Sequence, residues 1–323
     1  MKIIVTGGAG FIGSCIIRYL NDREIDDIIL VDNIWDDEKW KNLRTKRFET
    51  YINKSMLLER LNELKDVDVL IHMGACSSTT QTDFDYLWNN NVEYTKQLWK
   101  YCCEKGIRFL YASSASVYGD GKKGFSDYST LEYIPLNRYG YSKYAFDVWS
   151  EKQVASKIAP PQYAGFRFFN VYGPNEYHKG SMSSLVYKGH RQIKENKEMK
   201  LFKSYEAAYE DGKQLRDFVY VKDICKVIGF FLDHPELNGI YNVGTGKARS
   251  FYDLAASLFS ALGMEERIDY IDMPGEIRKS YQYFTQADIQ KLRDVGYREE
   301  FYSLEDGISD YVNNYLENDY SIF

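Results

Sequence analysis

Short apolar runs alternate along the first half of the chain with longer stretches whose apolar residues recur every three or four positions. Ile3-Ile4-Val5 reads as a strand that stops at the glycine-rich turn Thr6-Gly7-Gly8-Ala9-Gly10-Phe11-Ile12-Gly13, and Ile12, Ile16, Ile17 and Leu20 then share one helical face. A second apolar run, Ile28 to Val31, ends in Asp32. Val67 to His72 predicts a strand ending at Gly74-Ala75, and Tyr86 to Glu104 a helix stopped by Gly106. Arg108 to Ser113 predicts a strand, Tyr139 to Ala155 a long helix and Tyr163 to Phe169 another strand. Strand-helix alternation of this kind predicts an α/β fold, a doubly wound parallel sheet with helices on both faces. Ligands of such sheets bind beyond the carboxyl ends of the strands. The segments Gly7 to Gly13, Asp32, Gly74 to Thr80, Ser113 to Tyr118 and Asn170 onward all fall there.

After Phe169 the pattern changes. Gly173-Pro174-Asn175 reads as a turn, Ser181 to Glu195 as a rather polar helix, and Tyr205 to Leu215, charged and aromatic without clean periodicity, as a mobile loop. The expected division is a dinucleotide-binding, Rossmann-type domain over 1–170 and a smaller, mixed α/β substrate-binding domain over most of 171–323. Segments near 217–243 return to the first domain, with Phe218 to Val221 as the point of re-entry.

Composition narrows the function classes. The chain has 323 residues, 44% of them apolar and 16% aromatic, enough for one or two sizeable cores. The net charge of −6 and the lack of a basic block argue against a nucleic-acid partner. Cys15, Cys76, Cys102, Cys103 and Cys225 lack paired metal spacing and read as reduced thiols, and His72, His178, His190 and His234 form no zinc-type cluster, so no metal is expected. The chain opens on a core strand with no leader pattern, and no apolar stretch reaches membrane-spanning length; a cytoplasmic protein is expected.

The glycine turn has a chemical use. Glycine lets backbone approach a ligand closely, and the free N–H groups of the helix that follows can face a diphosphate. Asp32, at the end of the second apolar run, stands where a carboxylate meets a ribose hydroxyl. A second constellation is Tyr139-Gly140-Tyr141-Ser142-Lys143, in which Tyr139 and Lys143 share a helix face. Lysine, aided by a cationic nicotinamide ring, favours the phenolate, so Tyr139 is expected to accept a proton near neutrality. With 29 tyrosines in the chain, a packed helix surface is the competing explanation. Ser114, just past a strand, could hold the substrate oxygen that the tyrosine deprotonates, or simply cap a turn.

Together, the glycine turn, Ser114 and the Tyr139/Lys143 pair resemble the extended short-chain dehydrogenase/reductases that act on nucleotide sugars. Arg216-Asp217-Phe218-Val219-Tyr220-Val221 and Asn242-Val243-Gly244-Thr245-Gly246 are similar to later motifs of that family, so the resemblance spans essentially the whole chain. Gly74 to Thr80, Arg167 to Pro174, His178 to Met182 and Phe284 to Asp288 resemble its heptose-epimerising branch.

That resemblance implies an isomerase that oxidises C6 of an ADP-heptose with bound NADP and returns hydrogen to the opposite face, within lipopolysaccharide inner-core heptose synthesis. It also implies a homopentamer. Tyr139 and Lys179 become two acid/base groups, Lys143 a contact to the nicotinamide ribose and Ser114 the group orienting the reacting oxygen. The implied cofactor contacts are Gly7, Gly10, Phe11, Ile12 and Gly13 at the diphosphate and Asp32 and Asn33 at the adenosine ribose. Lys39 and Lys54 are implied at a 2′-phosphate, Met73, Gly74, Ala75, Cys76 and Ser77 on the adenine and ribose side, and Asn90, Val171 and Lys179 towards nicotinamide. Asp32 by itself favours NAD, because a carboxylate repels the extra phosphate, so the choice between NAD and NADP stays open. Implied substrate contacts are Ser114, Asn170, Ser181, Lys188, Phe202, Lys203, Ser204, Tyr205, Arg216 and Tyr281. Lys179, Lys39 and Lys54 also read as ordinary surface lysines, and Arg216 as the partner of Asp217 or Asp223. Two departures stand out: Lys188 replaces a histidine common in the family, and Tyr205 to Leu215 is longer than the usual link into Arg216.

Rival functions are a UDP-hexose 4-epimerase, which needs only the Tyr139 base, and a non-catalytic dinucleotide-binding regulator. A 4,6-dehydratase would carry an acidic pair after the catalytic hydroxyl, where this chain has Ala115 and Ser116.

Overall fold

The computed structural model describes residues 1–278 and 281–323. The first apolar run forms β1 (Ile3–Thr6), and the amphipathic stretch after the glycine turn forms α1 (Phe11–Asp22). They are followed by β2 (Ile28–Asp32), β3 (Thr50–Asn53), α2 (Lys54–Arg60) and β4 (Val69–His72). Next come α3 (Phe84–Leu87), α4 (Tyr94–Lys105), β5 (Arg108–Ser114), α5 (Arg138–Ala155) and β6 (Tyr163–Phe168). The principal sheet has seven strands in the order β3-β2-β1-β4-β5-β6-β11, all parallel, with β11 (Gly239–Val243) closing the edge beside β6. Strand order reverses between β1 and β4, and their carboxyl ends diverge there to leave a crevice. The inner strands are buried on both faces, which is why they read as continuous apolar runs and not as alternating ones.

The second half departs from the reading at two element boundaries. The strand expected to run to Phe169 ends at Phe168, and the chain steps into a separate two-stranded sheet, β7 (Asn170–Tyr172) beside β10 (Phe218–Tyr220). Phe218 to Tyr220 pairs outside the main sheet, while α7 (Val221–Asp233) packs on α1 and β11 enters the sheet beside β6. The helix expected from Ser181 begins at Leu185, as α6 (Leu185–Asn196), because the Ser184 hydroxyl caps it by accepting from Tyr187 N–H at 3.1 Å. Between them, β8 (Met199–Phe202) pairs with β13 (Ile268–Ile271), and β9 (Leu215–Arg216) pairs antiparallel with β12 (Arg249–Ser250), which leads into α8 (Phe251–Ala261). The stretch Tyr205 to Leu215, expected to be a mobile loop, runs into β9 at Leu215; Ser204 N–H donates to Asp211 Oδ1 at 2.7 Å beside it, and the Tyr209 ring packs on Tyr283 at 5.5 Å.

The stretch expected as one helix from Tyr86 to Glu104 begins at Phe84 and passes through a π-turn at Trp88–Glu93 before α4. Gly106, in the left-handed region with φ +68°, ends α4 as its punctuation implied. Buried Asp217 joins three distant blocks by accepting from Thr245 N–H and Oγ1–H, Gly246 N–H and Ala287 N–H at 2.7–3.0 Å. Among the described residues no helix is long and apolar enough to cross a membrane.

Candidate active site

A cleft of about 580 Å³ opens where β1, β2, β4 and β5 end. Gly7, Gly10, Phe11, Ile12 and Gly13 line it, with Asp32, Asn33 and Lys39 beyond β2, and Met73 to Ser77 beyond β4. Ser114, Tyr139 and Lys143 line it beyond β5; Val171 and Lys179 reach it from the second half, and Lys54 and Asn90 complete it. The expected acid/base and dinucleotide positions are thus brought together from distant parts of the chain, Gly7 and Lys179 among them.

The turn has the shape of a phosphate cradle. A Cβ on Gly13 would lie 2.1 Å from Gly7 O, and one on Gly7 would lie 2.7 Å from Gly74 N, so the turn packs backbone on backbone. Asp32 fixes its far side: Oδ2 accepts from Ala9 N–H at 2.9 Å, while Oδ1 accepts from Asn33 N–H at 2.7 Å and pairs with Lys39 Nζ at 2.8 Å. Lys54 Nζ donates to Asn90 Oδ1 and lies 4.9 Å from the Tyr94 ring. Among the described residues the Tyr94 hydroxyl, on the same cleft wall, is buried without a hydrogen-bond partner. An N–H-bearing glycine turn, a carboxylate at the second strand end and flanking cations fit a dinucleotide.

At the β5 end, α5 starts at its cap Asn137, whose Oδ1 accepts from Gly140 N–H at 2.8 Å. Gly140 lets the helix lie against the Ser114 turn, since a Cβ there would be 2.7 Å from Ser116 O. Tyr139 and Lys143 are buried one helical turn apart. Burial raises the Tyr139 phenol above its ordinary value, and its hydrogen bond with Ser114 partly opposes this. The expected depression is therefore not produced by the protein groups: desolvation outweighs them. Burial pushes Lys143 down to about 8 against the pull of Asp147 and Cys76, and its Nζ donates to Ala112 O at 2.8 Å. Asp147, one turn further along α5, is held by Ser113 Oγ–H at 2.8 Å and Arg167 Nε–H at 3.0 Å.

Lys179 is not an ordinary surface lysine. It lies 5.4 Å over the Phe11 ring, and burial lowers its pKa, assisted by Lys188 and opposed by Glu176.

The expected substrate residues, Ser114 apart, do not line this cleft. Asn170 is exposed between the cleft-lining Phe169 and Val171, and exposed Ser181 accepts from Lys188 Nζ–H at 3.2 Å through its carbonyl. A separate aromatic group gathers several others. Arg216, 7% exposed, sits 5.4 Å from the Phe251 ring and 5.1 Å from Tyr281; Tyr281 packs edge-on against Tyr283 at 5.2 Å, and the Tyr283 hydroxyl accepts from Tyr205 N–H at 3.1 Å. Phe202 ends β8, Ser204 precedes Tyr205 in the chain, and Lys203 pairs with Asp272 at 3.3 Å. Among the described residues Arg216 has no carboxylate partner, so the pairing with Asp217 or Asp223 is not made.

Residues the sequence reading passed over also shape the cleft. Asn91, in the π-turn, donates to Cys76 O at 2.9 Å and Ser142 Oγ at 3.0 Å and accepts from Cys76 N–H at 2.9 Å, locking the β4 wall to α5. The signal was there: Asn89-Asn90-Asn91 is a run of poor helix formers inside a helical stretch. His178 and Met182, the ends of a block singled out by resemblance without a role for either, line the cleft beside Lys179.

Fold and cleft define a nicotinamide-dinucleotide-dependent enzyme of the Rossmann type. Residues 3–244 match the NAD dependent epimerase/dehydratase family, and the chain belongs to that family. The particular relatives are closely named. The chain is 49% identical, over 97% of its length and 98% of the relative's, to an ADP-L-glycero-D-manno-heptose-6-epimerase of Fusobacterium nucleatum, and 48% identical, over 97% of both, to one of Nitratidesulfovibrio vulgaris. The crystal structure of the Helicobacter pylori ADP-L-glycero-D-manno-heptose-6-epimerase matches with a TM-score of 0.81 and 30% identity over 97% of this chain and 95% of that one. A Thermus thermophilus UDP-glucose 4-epimerase complexed with NAD shares the fold, with a TM-score of 0.79 at 23% identity over 97% of this chain and 98% of that one.

Proposed function

We propose that the protein interconverts ADP-D-glycero-β-D-manno-heptose and ADP-L-glycero-β-D-manno-heptose at C6. The observation that carries this reading is the presence of two differently tuned proton-handling groups, Tyr139 and Lys179, on the one cleft that also holds the glycine turn. The dinucleotide, when bound, supplies reversible hydride acceptance from C6. Inversion requires C6 to present opposite faces in the two half-reactions, which shifts where its oxygen stands, so two acid/base groups on the cleft make physical sense. Lys179, with its lowered pKa, is suited to take the C6 hydroxyl proton of one epimer. Tyr139, held as the phenol, is suited to return a proton to the oxygen of the other; the roles exchange in the reverse direction. Ser114 orients the ketone oxygen towards Tyr139, and Lys143 holds the nicotinamide ribose. The Arg216 fork suits the sugar-nucleotide diphosphate, with Tyr281 against its face and Phe202 to Tyr205 alongside. Asn170, Ser181 and Lys188 are the remaining substrate contacts in this reading.

NADP is the favoured cofactor. Asp32 is neutralised by Lys39 at 2.8 Å, which removes the repulsion a 2′-phosphate would meet and leaves a cation beside it. Assembly as a homopentamer belongs to the same reading, and light scattering on the eluting protein tests it.

The decisive experiment incubates purified protein with ADP-D-glycero-D-manno-heptose, follows C6 by NMR and identifies released cofactor by mass spectrometry. Tyr139→Phe and Lys179→Met are each expected to slow turnover about 10²- to 10⁴-fold with cofactor retained. Near-full turnover in Lys179→Met overturns the two-base assignment; epimerisation of UDP-glucose in place of the heptose overturns the substrate.

A further inference from the structure

We infer that Asn42 is a positioning residue that fixes Lys179 by stapling the segment carrying it to the glycine turn. Nothing in the sequence marks Asn42, which sits in the short helical turn Glu38–Leu43 and is 3% exposed. Its amide supplies two hydrogens, and two carbonyls from distant parts of the chain take them: Ala9 O at 3.0 Å and Asn175 O at 3.1 Å. His178 Nδ1 lies on the same nitrogen at 3.4 Å. Ala9 is the glycine-turn residue whose N–H is held by Asp32, so the amide meets the turn at an anchored point.

The other end is equally constrained. Asn175 is fully buried with φ +75°, and its Nδ2 donates to Ser14 Oγ on α1 at 2.9 Å. The next residue, Glu176, accepts from Gly173 N–H at 3.2 Å and Ser184 Oγ–H at 2.7 Å, closing both ends of the loop on which Lys179 rides. Within that loop Ser183 Oγ–H donates to Gly180 O at 2.8 Å. A loop closed on itself moves as one body. Asn175, at the root of that body, is therefore where it is placed relative to the cleft: Asn42 ties its carbonyl to the glycine turn, and Ser14 on α1 accepts from its side chain.

Cutting the staple releases Lys179 towards water. Burial is what lowers its pKa, with Glu176, Lys188 and neighbouring His178 the charged or titratable groups around it, so release moves it back up.

The inference rests on Lys179 acting in proton transfer, and the test separates the two claims. In the holoenzyme, Asn42→Ala is expected to lower kcat about tenfold or more with KM and dinucleotide affinity changed less than about threefold. The pH–rate limb that Lys179→Met removes moves alkaline by about half a unit or more. Amides 176–182 exchange faster with deuterium, a readout independent of turnover. Asn42→Ser, which keeps one donor and leaves a smaller gap, serves where the alanine variant does not fold and is expected to give intermediate kcat and limb. Wild-type kcat and limb in either variant, or a fall in kcat without movement of the limb or faster exchange, overturns the positioning role. A silent Lys179→Met overturns the catalytic reading on which it stands.

Discussion

Gly13→Ala probes the cofactor site through one added carbon. The new Cβ would stand 2.1 Å from Gly7 O, 2.8 Å from Gly7 C and 3.0 Å from Gly8 Cα, all backbone atoms, so the turn must open by roughly an ångström. Overpacking of this kind costs about 1–3 kcal/mol of stability. The larger effect falls on the ligand, because the displaced N–H groups no longer converge on a diphosphate. Two charge-assisted hydrogen bonds at about 1.5–3 kcal/mol each amount to a loss of about 10²- to 10⁴-fold in affinity. Calorimetric titration with NADP measures that loss. Thermal unfolding gives a second reading, since ligand at about 100 times its Kd stabilises the wild type by about 2.7 kcal/mol and should add nothing measurable to the variant. Gly106→Ala is the control: φ there is +68°, but no atom lies within 4 Å of the added carbon, so it pays about 1–2 kcal/mol in backbone strain and keeps the ligand response. Wild-type NADP affinity in Gly13→Ala, or a lost response in Gly106→Ala, refutes the reasoning.

Lys39→Ala leaves Asp32 unpaired at the ribose end, and NADP affinity should fall about tenfold or more while NAD affinity holds or improves; equal losses for both would dissociate Lys39 from the 2′-phosphate. Lys143→Met should abolish turnover yet stabilise the fold. Burial takes this amine from 10.5 to about 8, so the folded state carries the full charging penalty below pH 8 and none above pH 10.5. Net of the lost bond to Ala112 O, the gain is about 2 kcal/mol at pH 7 and shrinks as pH rises through that window; denaturant unfolding at pH 7 and 10.5 checks the sign. Arg216→Lys, keeping the charge without the planar fork, should raise KM for the nucleotide sugar about tenfold or more with kcat changed far less, and an unchanged KM would remove Arg216 from the diphosphate.

Much of the cleft could be read from the chain because its parts obey local rules. The glycine turn, Asp32 and the Tyr139/Lys143 spacing each lie on one strand end or one helix face, where a periodicity of 2 or 3.6 residues settles the side. The second half was harder. Phe169 and Asn170 belong to different sheets, divided by Phe169 N–H bonding to Val243 O and Asn170 N–H to Asp217 O, and no local pattern announces which distant strand supplies the acceptor. The Ser181 boundary was misplaced because Ser184, not Ser181, completes the cap. Asn42 escaped notice since a buried amide looks like any surface asparagine until its two acceptors are known.

By itself the sequence determined the alternation that makes a parallel sheet, the turn that must be glycine and the helix face that pairs a phenol with an amine, because each depends on neighbours within a few residues. Only the tertiary structure decided the direction of the proton affinities at Tyr139 and Lys179, the isolation of Arg216 from carboxylates and the attachment of the Lys179 loop to the first strand's turn. Those depend on desolvation and on contacts between residues more than a hundred positions apart, which spacing along a chain does not encode.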